Sequence, residues 1–194
     1  GLECRDRRIC VTGAPEKAVS ISDVVMNAQF TYPPTSIMGV GSYSASGQPP
    51  PFGAQFVEVE VDTETGQVTV LKVVAAHDAG KAINPMIVEG QLEGSIQQGI
   101  GYALTEDLIL DENGKALNTT FLDYKILAAT DMPKTEIIIV EPLDPMGPFG
   151  AKGVGEPGLV PTAPAIANAI YNATGARVKE LPMTPETVSY THLT

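Results

Sequence analysis

The sequence predicts an α+β fold in which a β-hairpin and short strands pack with two main helices. Three observations carry this. Residues 54–61 alternate, with Phe56, Glu58 and Glu60 on one face and Val57, Val59 and Val61 on the other, and a Gly-containing turn over 62–66 leads to a β-branched run over 67–75. Apolar residues recur at helical spacing before Gly175, and Asn84-Pro85 opens a second helix with a capping side chain and a first-turn proline. Glu136–Val140 is a compact apolar strand closed by Pro142 and Pro145. With 194 residues, 43 % of them hydrophobic and 18 % charged, the chain is globular rather than disordered.

Residues 1–18 are charged and irregular in pattern, with a strand expected at Arg8–Val11 and a turn at Gly13–Pro15. Ser20 or Ser22 caps a short helix over Asp23–Gln29, where Asp23 sits favourably at the positive end. From Thr31 to Gly53 the chain holds Pro33-Pro34 and Pro49-Pro50-Pro51, the composition of a long connection. We therefore divide the chain into residues 1–50, an irregular N-terminal segment with a Pro/Gly-rich connection, and residues 51–194, the folded portion.

The helix that begins at Asn84 is expected to reach about Leu110. It contains Gly90, Gly94, Gly99 and Gly101, each of which costs about 1 kcal/mol against Ala in a helix interior. Gly90, Gly94 and Gly101 lie along one side, and Gln91, Ser95, Gln98 and Tyr102 form the adjoining stripe. Either a ligand approaches this backbone or another helix packs tightly on it; both readings stay open. Residues 120–130 read as a short irregular or helical piece. Leu159–Ala173 follows as the second helix, confined largely to the part after Pro161 and Pro164 and ended by Gly175. Arg177–Leu181 reads as a last short strand and 182–194 as a tail.

Composition excludes several classes. A formal charge of −11 argues against a nucleic-acid binder. No apolar run approaches the ~20 residues that span a bilayer, and the N-terminus lacks the apolar core of a signal peptide. The expected location is cytoplasmic, so the sequons at Asn118 and Asn172 carry no meaning. Cys4 and Cys10 cannot by themselves ligate an iron–sulfur cluster or a four-sulfur zinc ion. A Cys4–Cys10 disulfide stays open, with free thiols favoured in a reducing compartment.

The residues that suggest chemistry are 150–158, where Glu156 is the one acid among glycines and other small residues. Gly153 to Gly158 fits G-x-G-x-x-G, and Glu180 lies near the place of a ribose-binding acid. The context is wrong for a dinucleotide site: the nearest strand ends near Val140, Pro157 intrudes, and too little chain remains for further βαβ units. His77 and His192 have no ligand-spaced partners, and no G-x-S-x-G elbow occurs. His77 reads as a turn or core histidine. On the residues alone, Glu156 is a general base or a solvated loop acid.

Two segments together resemble the molybdenum hydroxylases, the family of xanthine dehydrogenase and aldehyde oxidase. One runs from Asp78-Ala79-Gly80-Lys81-Ala82-Ile83-Asn84-Pro85 through Glu89–Gly94 to Gln98-Gly99-Ile100-Gly101; the other is Lys152-Gly153-Val154-Gly155-Glu156-Pro157. Both come in the family's order and at about its spacing, and the resemblance covers residues 51–188, more weakly the first fifty. It implies a C-terminal part of the large molybdopterin-binding subunit, hydroxylating an N-heterocycle or an aldehyde with oxygen from water. It also implies Glu156 as the proton-accepting carboxylate, Gln91 as an amide on the pterin, Val154 and Gly155 as backbone near the metal, and Gln98 as a weaker second amide. The implied cofactor is molybdopterin, bare or as its cytosine dinucleotide, with molybdenum; 2Fe-2S and FAD are expected on other domains or subunits. The implied partners are the rest of the molybdopterin subunit, Fe–S and FAD subunits and a small-molecule substrate. The family's earlier cofactor loops are missing, so the chain alone is expected to be inactive. The rival reading is an acidic α+β interaction module without catalysis.

Overall fold

The structure is a computed structural model that describes residues 1–45 and 47–193, with the backbone alone at 192 and 193. The end of the expected tail at Thr194 and the side chain of His192 thus lie outside the described residues. The chain separates into two units, Gly1–Ser44 and Ala45–Thr194.

In the first unit, β1 (Leu2–Arg5), β2 (Arg8–Val11) and β3 (Ala14–Ser20) form an antiparallel sheet in that order, followed by α1 (Ile21–Phe30). The sequence pattern predicts only one strand here. The first turn places Asp6 and Arg7 at positive φ, the conformation that two-residue hairpin turns require. A register shift at Cys10/Val11 leaves Pro15–Lys17 outside the paired positions, so the missing N–H of Pro15 removes no ladder bond. Ser20 is the cap of α1, its hydroxyl accepting from the Asp23 N–H at 2.9 Å. Cys4 lies opposite Ile9 and Cys10 opposite Glu3, one position apart in the ladder. Their side chains therefore leave opposite faces of the sheet, and both thiols are free.

In the second unit, β4 (Gly53–Val61) and β5 (Val68–Asp78) form the expected hairpin. β6 (Lys134–Val140) joins β5 in parallel, from Lys72 opposite Lys134 to Asp78 opposite Val140. Between them runs α2 (Pro85–Leu104), and α3 (Thr162–Thr174) and α4 (Pro185–Leu193) complete the unit. The core joins Val73 and Ala75 of β5, Ile96, Ile100 and Ala103 of α2, and Ile166 and Ile170 of α3. Each large aliphatic side chain buried there stabilises by roughly 1.5–3 kcal/mol. Gly99 lets α3 meet α2: a Cβ there would lie 2.5 Å from the Thr162 Cβ.

Three expectations are corrected. Helix α2 ends at Leu104, not Leu110, because the N–H groups of Thr105 and Glu106 both turn back onto the Gly101 carbonyl. The Thr105 hydroxyl also donates to the Lys125 carbonyl, 2.8 Å away. Residues 177–181 form no strand; Val178 plugs the core from an irregular segment instead of pairing at a sheet edge. The tail is helical over α4, and its Val188 is 1 % exposed. Pro185 sits so close to the hairpin turn that a Cβ at Gly66 would fall 2.0 Å from its carbonyl oxygen.

Candidate functional site

The site forms where the end of β5, the first turns of α2 and the loop over 150–158 converge. The chain reverses at Gly80, whose φ of +58° and proximity to the loop leave no room for a side chain: a Cβ there would lie 2.2 Å from the Gly150 carbonyl oxygen. The Lys81 N–H donates to that same carbonyl at 2.7 Å, and the Lys152 N–H donates to the Ala79 carbonyl at 2.9 Å. Gly80 and Ala151 thus form an antiparallel bridge that fastens the start of the loop to β5.

Side chains reinforce the backbone. The Lys152 ammonium lies 2.6 Å from an Asp78 carboxylate oxygen, and the two side chains are only 7 % and 11 % exposed. It also reaches the Pro50 carbonyl at 3.2 Å, the Asp144 carboxylate at 3.9 Å and the Phe52 ring, whose centroid is 5.6 Å away. Asp78 accepts a further bond, 3.0 Å long, from the Gly80 N–H. Burial pushes the Asp78 carboxyl upward, but the bonds from Lys152 and Gly80 outweigh it and hold the group below the usual carboxylate range. Its neighbour His77 is 2 % exposed and is pulled below the ordinary imidazole value by burial, against the Gly153 backbone and the Asp78 charge. His77 is therefore a core histidine, one of the two readings left open.

Two residues further on, Val154 packs on Ala79, Ala82, Val88 and Leu92. Its side chain faces inward while Gly153 and Gly155 on either side are exposed. A Cβ at Gly155 would lie 3.8 Å from Nε2 of Gln91, so the carboxamide and the loop backbone come together. The far end of the loop is held at Gly158. A Cβ there would meet Leu92 and Ser95 at 3.0 Å, and its carbonyl accepts from Gln55 Nε2 at 2.7 Å and from the Thr162 hydroxyl at 3.3 Å. Glu156 stands exposed between these two anchorages. It lines a groove of about 410 Å³ with Pro51, Gly53, Pro157, Val160 and Pro161. Gln98 lies two turns along α2 from Gln91, roughly 10 Å by helical rise. It lines a larger groove of about 740 Å³ with Tyr102, Leu159 and Val160, the last shared with the Glu156 groove.

This arrangement offers the Gln91 carboxamide and open loop backbone to a ligand, with the Glu156 carboxylate exposed on the same loop. Among the described residues no three His, Cys, Asp or Glu side chains cluster as metal ligands. The donor set fits a polar heterocycle that brings its own metal better than it fits a bare cation. The anchoring pair of Lys152 and Asp78 is not visible as a pair in the sequence, since nothing there links residues 74 positions apart. No described helix is long and apolar enough to cross a membrane.

A sequence profile of the molybdopterin cofactor-binding domain matches residues 1–133. The chain is 36 % identical over 181 residues to a putative xanthine dehydrogenase molybdenum-binding subunit of Escherichia coli (strain K12), covering 92 % of this chain and 24 % of that protein. It is 41 % identical over 146 residues to an aldehyde oxidoreductase molybdenum-binding subunit of the same organism, covering 74 % and 20 %. Among solved structures, quinoline 2-oxidoreductase from Pseudomonas putida 86 matches with a TM-score of 0.84 at 30 % identity, over 99 % of this chain and 26 % of that one. The chain spans about a quarter or less of the length of these proteins.

Proposed function

We propose a function from one premise: the chain belongs to the molybdopterin cofactor-binding domain family, as part of a molybdenum-binding subunit of the xanthine dehydrogenase and aldehyde oxidoreductase type. On our reading it is the C-terminal cofactor-binding portion of a molybdenum hydroxylase, acting in the cytoplasm on a carbon of an N-heterocycle or an aldehyde, with water as the oxygen source. The cofactor, molybdopterin or its cytosine dinucleotide, would be held by Gln91 and the Val154–Gly155 backbone and would supply molybdenum for oxygen activation and two-electron acceptance. 2Fe-2S and FAD groups would belong to other domains or subunits, not to this chain.

The chain's own residues bind, orient and accept a proton. Gln91 offers its carboxamide to the polar edge of the pterin, and the backbone at Val154 and Gly155 forms the adjoining wall. Gln98 is a second amide further along the same helix. Glu156 is the general base: its carboxylate takes the proton released as the water-derived oxygen is delivered to carbon. The observation that carries this reading is the geometry of the loop. Val154 is half-buried and Gly158 is pinned, so Glu156 is presented in the open on a short tether, next to Gly155, whose backbone approaches the Gln91 amide. That arrangement supports catalysis over the rival interaction module, which gives Glu156 no role.

The test is Glu156→Gln in the assembled holoenzyme. We expect cofactor content to hold and kcat to fall by roughly 10²–10⁴-fold, the range of a positioned general base. Parental turnover with the cofactor in place would leave Glu156 a solvated loop acid.

A further inference from the structure

We propose that Lys152 and Asp78 are positioning residues for Glu156: their buried ion pair sets where the base loop leaves β5, and so where the carboxylate stands. The proposal rests on Glu156 being the base.

The geometry is more elaborate than a surface ion pair. At 2.6 Å, with both side chains about nine-tenths buried, the contact is largely shielded from solvent. The ammonium is further enclosed by the Pro50 carbonyl, Asp144 and the Phe52 ring, so it is held from several directions. Asp78 is fixed in turn by the Gly80 N–H, at the residue whose positive φ turns the chain out of β5. Lys152 therefore ties the loop to a strand end that cannot easily move, four residues before Glu156. Three of the residues between or beside them, Gly153, Gly155 and Pro157, contribute no side-chain hydrogen bond that could hold the loop. Val154 limits the loop's depth by partial burial, but apolar contact is not directional. Directional fixation at the loop's start comes from the ion pair and the adjacent backbone bridge, while its far end is held by the Leu159 N–H donating to the Glu156 carbonyl at 3.0 Å and by the bonds to the Gly158 carbonyl. Removing the ammonium leaves two buried carboxylates, Asp78 and Asp144, facing a neutral side chain. The loop relaxes to separate or hydrate them. A displacement of about 1 Å at a catalytic group can lower turnover on the order of 10²-fold.

The experiment uses the assembled holoenzyme. Lys152→Met keeps the stem and removes the charge; Asp78→Asn keeps the shape and removes the partner. For Lys152→Met we expect unchanged cofactor content, KM within about twofold and kcat lowered about thirtyfold, with partial recovery in Lys152→Arg. Amide hydrogen exchange over 150–158 should quicken by at least about tenfold, while the buried amides of β5 and α2 stay as protected as in the parent. Because Lys152 acts through Glu156, the double variant Lys152→Met/Glu156→Gln should be no slower than Glu156→Gln alone. Unchanged kcat in Lys152→Met, unchanged exchange over 150–158, or a full multiplicative loss in the double variant would each overturn the proposal. If Lys152→Met does not assemble, Asp78→Asn is measured in the same way, with the same results expected and the same results overturning the proposal. The two readings fail separately. A slow Glu156→Gln with a fast Lys152→Met removes only the positioning role, whereas a fast Glu156→Gln removes the base and the positioning role with it.

Discussion

Gly80→Ala measures how much the site depends on backbone contact. Two penalties apply. An L-residue at φ +58° costs about 1–2 kcal/mol through its Cβ and carbonyl oxygen. The new Cβ would also lie 2.2 Å from the Gly150 oxygen and 3.0 Å from both the Lys152 N and Cγ. Relief requires the two segments to part by about 1 Å, which lengthens the bonds from Lys81 to Gly150 and from Lys152 to Ala79. Losing one such bond costs about 1 kcal/mol and leaving its groups unpaired costs more, for a total near 3–5 kcal/mol. Gly114→Ala is the internal control: its φ is +77° and no atom lies within 4 Å of the added carbon, so only the first penalty applies. Urea unfolding of the chain should place Gly80→Ala at least about 2 kcal/mol below Gly114→Ala. In the holoenzyme, Gly80→Ala should lower kcat while Gly114→Ala leaves it alone. Equal destabilisation by the two substitutions would show that the approach of Gly150 to Gly80 is loose, and the anchored loop would have to be abandoned.

Val188→Ala should lower the urea midpoint by an amount equivalent to about 2 kcal/mol, because Val188 lies in the main core; no change would mean that α4 frays. His77 is held below its ordinary pKa, chiefly by burial, so its contribution to stability is fully present above the unfolded value of about 6.5 and is lost as pH falls toward and through the folded value. Stability of the parent should therefore decline from about pH 7 downward through that window, and His77→Gln should flatten the decline; parallel curves would refute this. Purified alone, the chain should carry no molybdenum by elemental analysis and no hydroxylase activity, since it supplies only part of the cofactor's enclosure; a stoichiometric metal content would reverse that expectation.

What is legible in the sequence is local. The β4–β5 hairpin follows from alternation and a turn, the start of α2 from Asn84-Pro85, and the end of α3 from Gly175, which adopts φ +79°. These signals act within a few residues. The parallel pairing of β6 with β5 and the antiparallel sheet of the first unit depend on partners that no local pattern names. The α4 segment reads as a tail because it buries little of itself, and the core contribution of Val188 emerges only once the hairpin turn and α2 surround it. At the site, Glu156 stands out as the lone acid in a glycine loop. Its company with Gln91 comes from the resemblance, and the Lys152–Asp78 pair comes only from the fold.

The glycines of α2 show why a pattern on one helix could not assign its faces. The four together cost roughly 4 kcal/mol of helix stability. Gly99, outside the stripe picked from spacing, is the one that admits another helix, at Thr162. Gly101 makes room for the Glu106 side chain, whose other oxygen accepts from the Tyr124 hydroxyl at 2.7 Å. Gly90 and Gly94 have no atom within 4 Å of an added carbon and line a shallow groove of about 360 Å³ with Ala129 and Met132. At 100° per residue they lie roughly 60–100° around the helix from Gln91, while Leu92 and Ser95, which touch Gly158, lie on its other side. The 150–158 loop therefore rests on the amide side of α2, and the two open glycines face elsewhere. Of the four α2 glycines, Gly99 and Gly101 are the two closely approached, and each case has a side chain to account for it. The cofactor reading consequently rests on Gln91 and the anchored loop, and it draws no support from the glycine stripe.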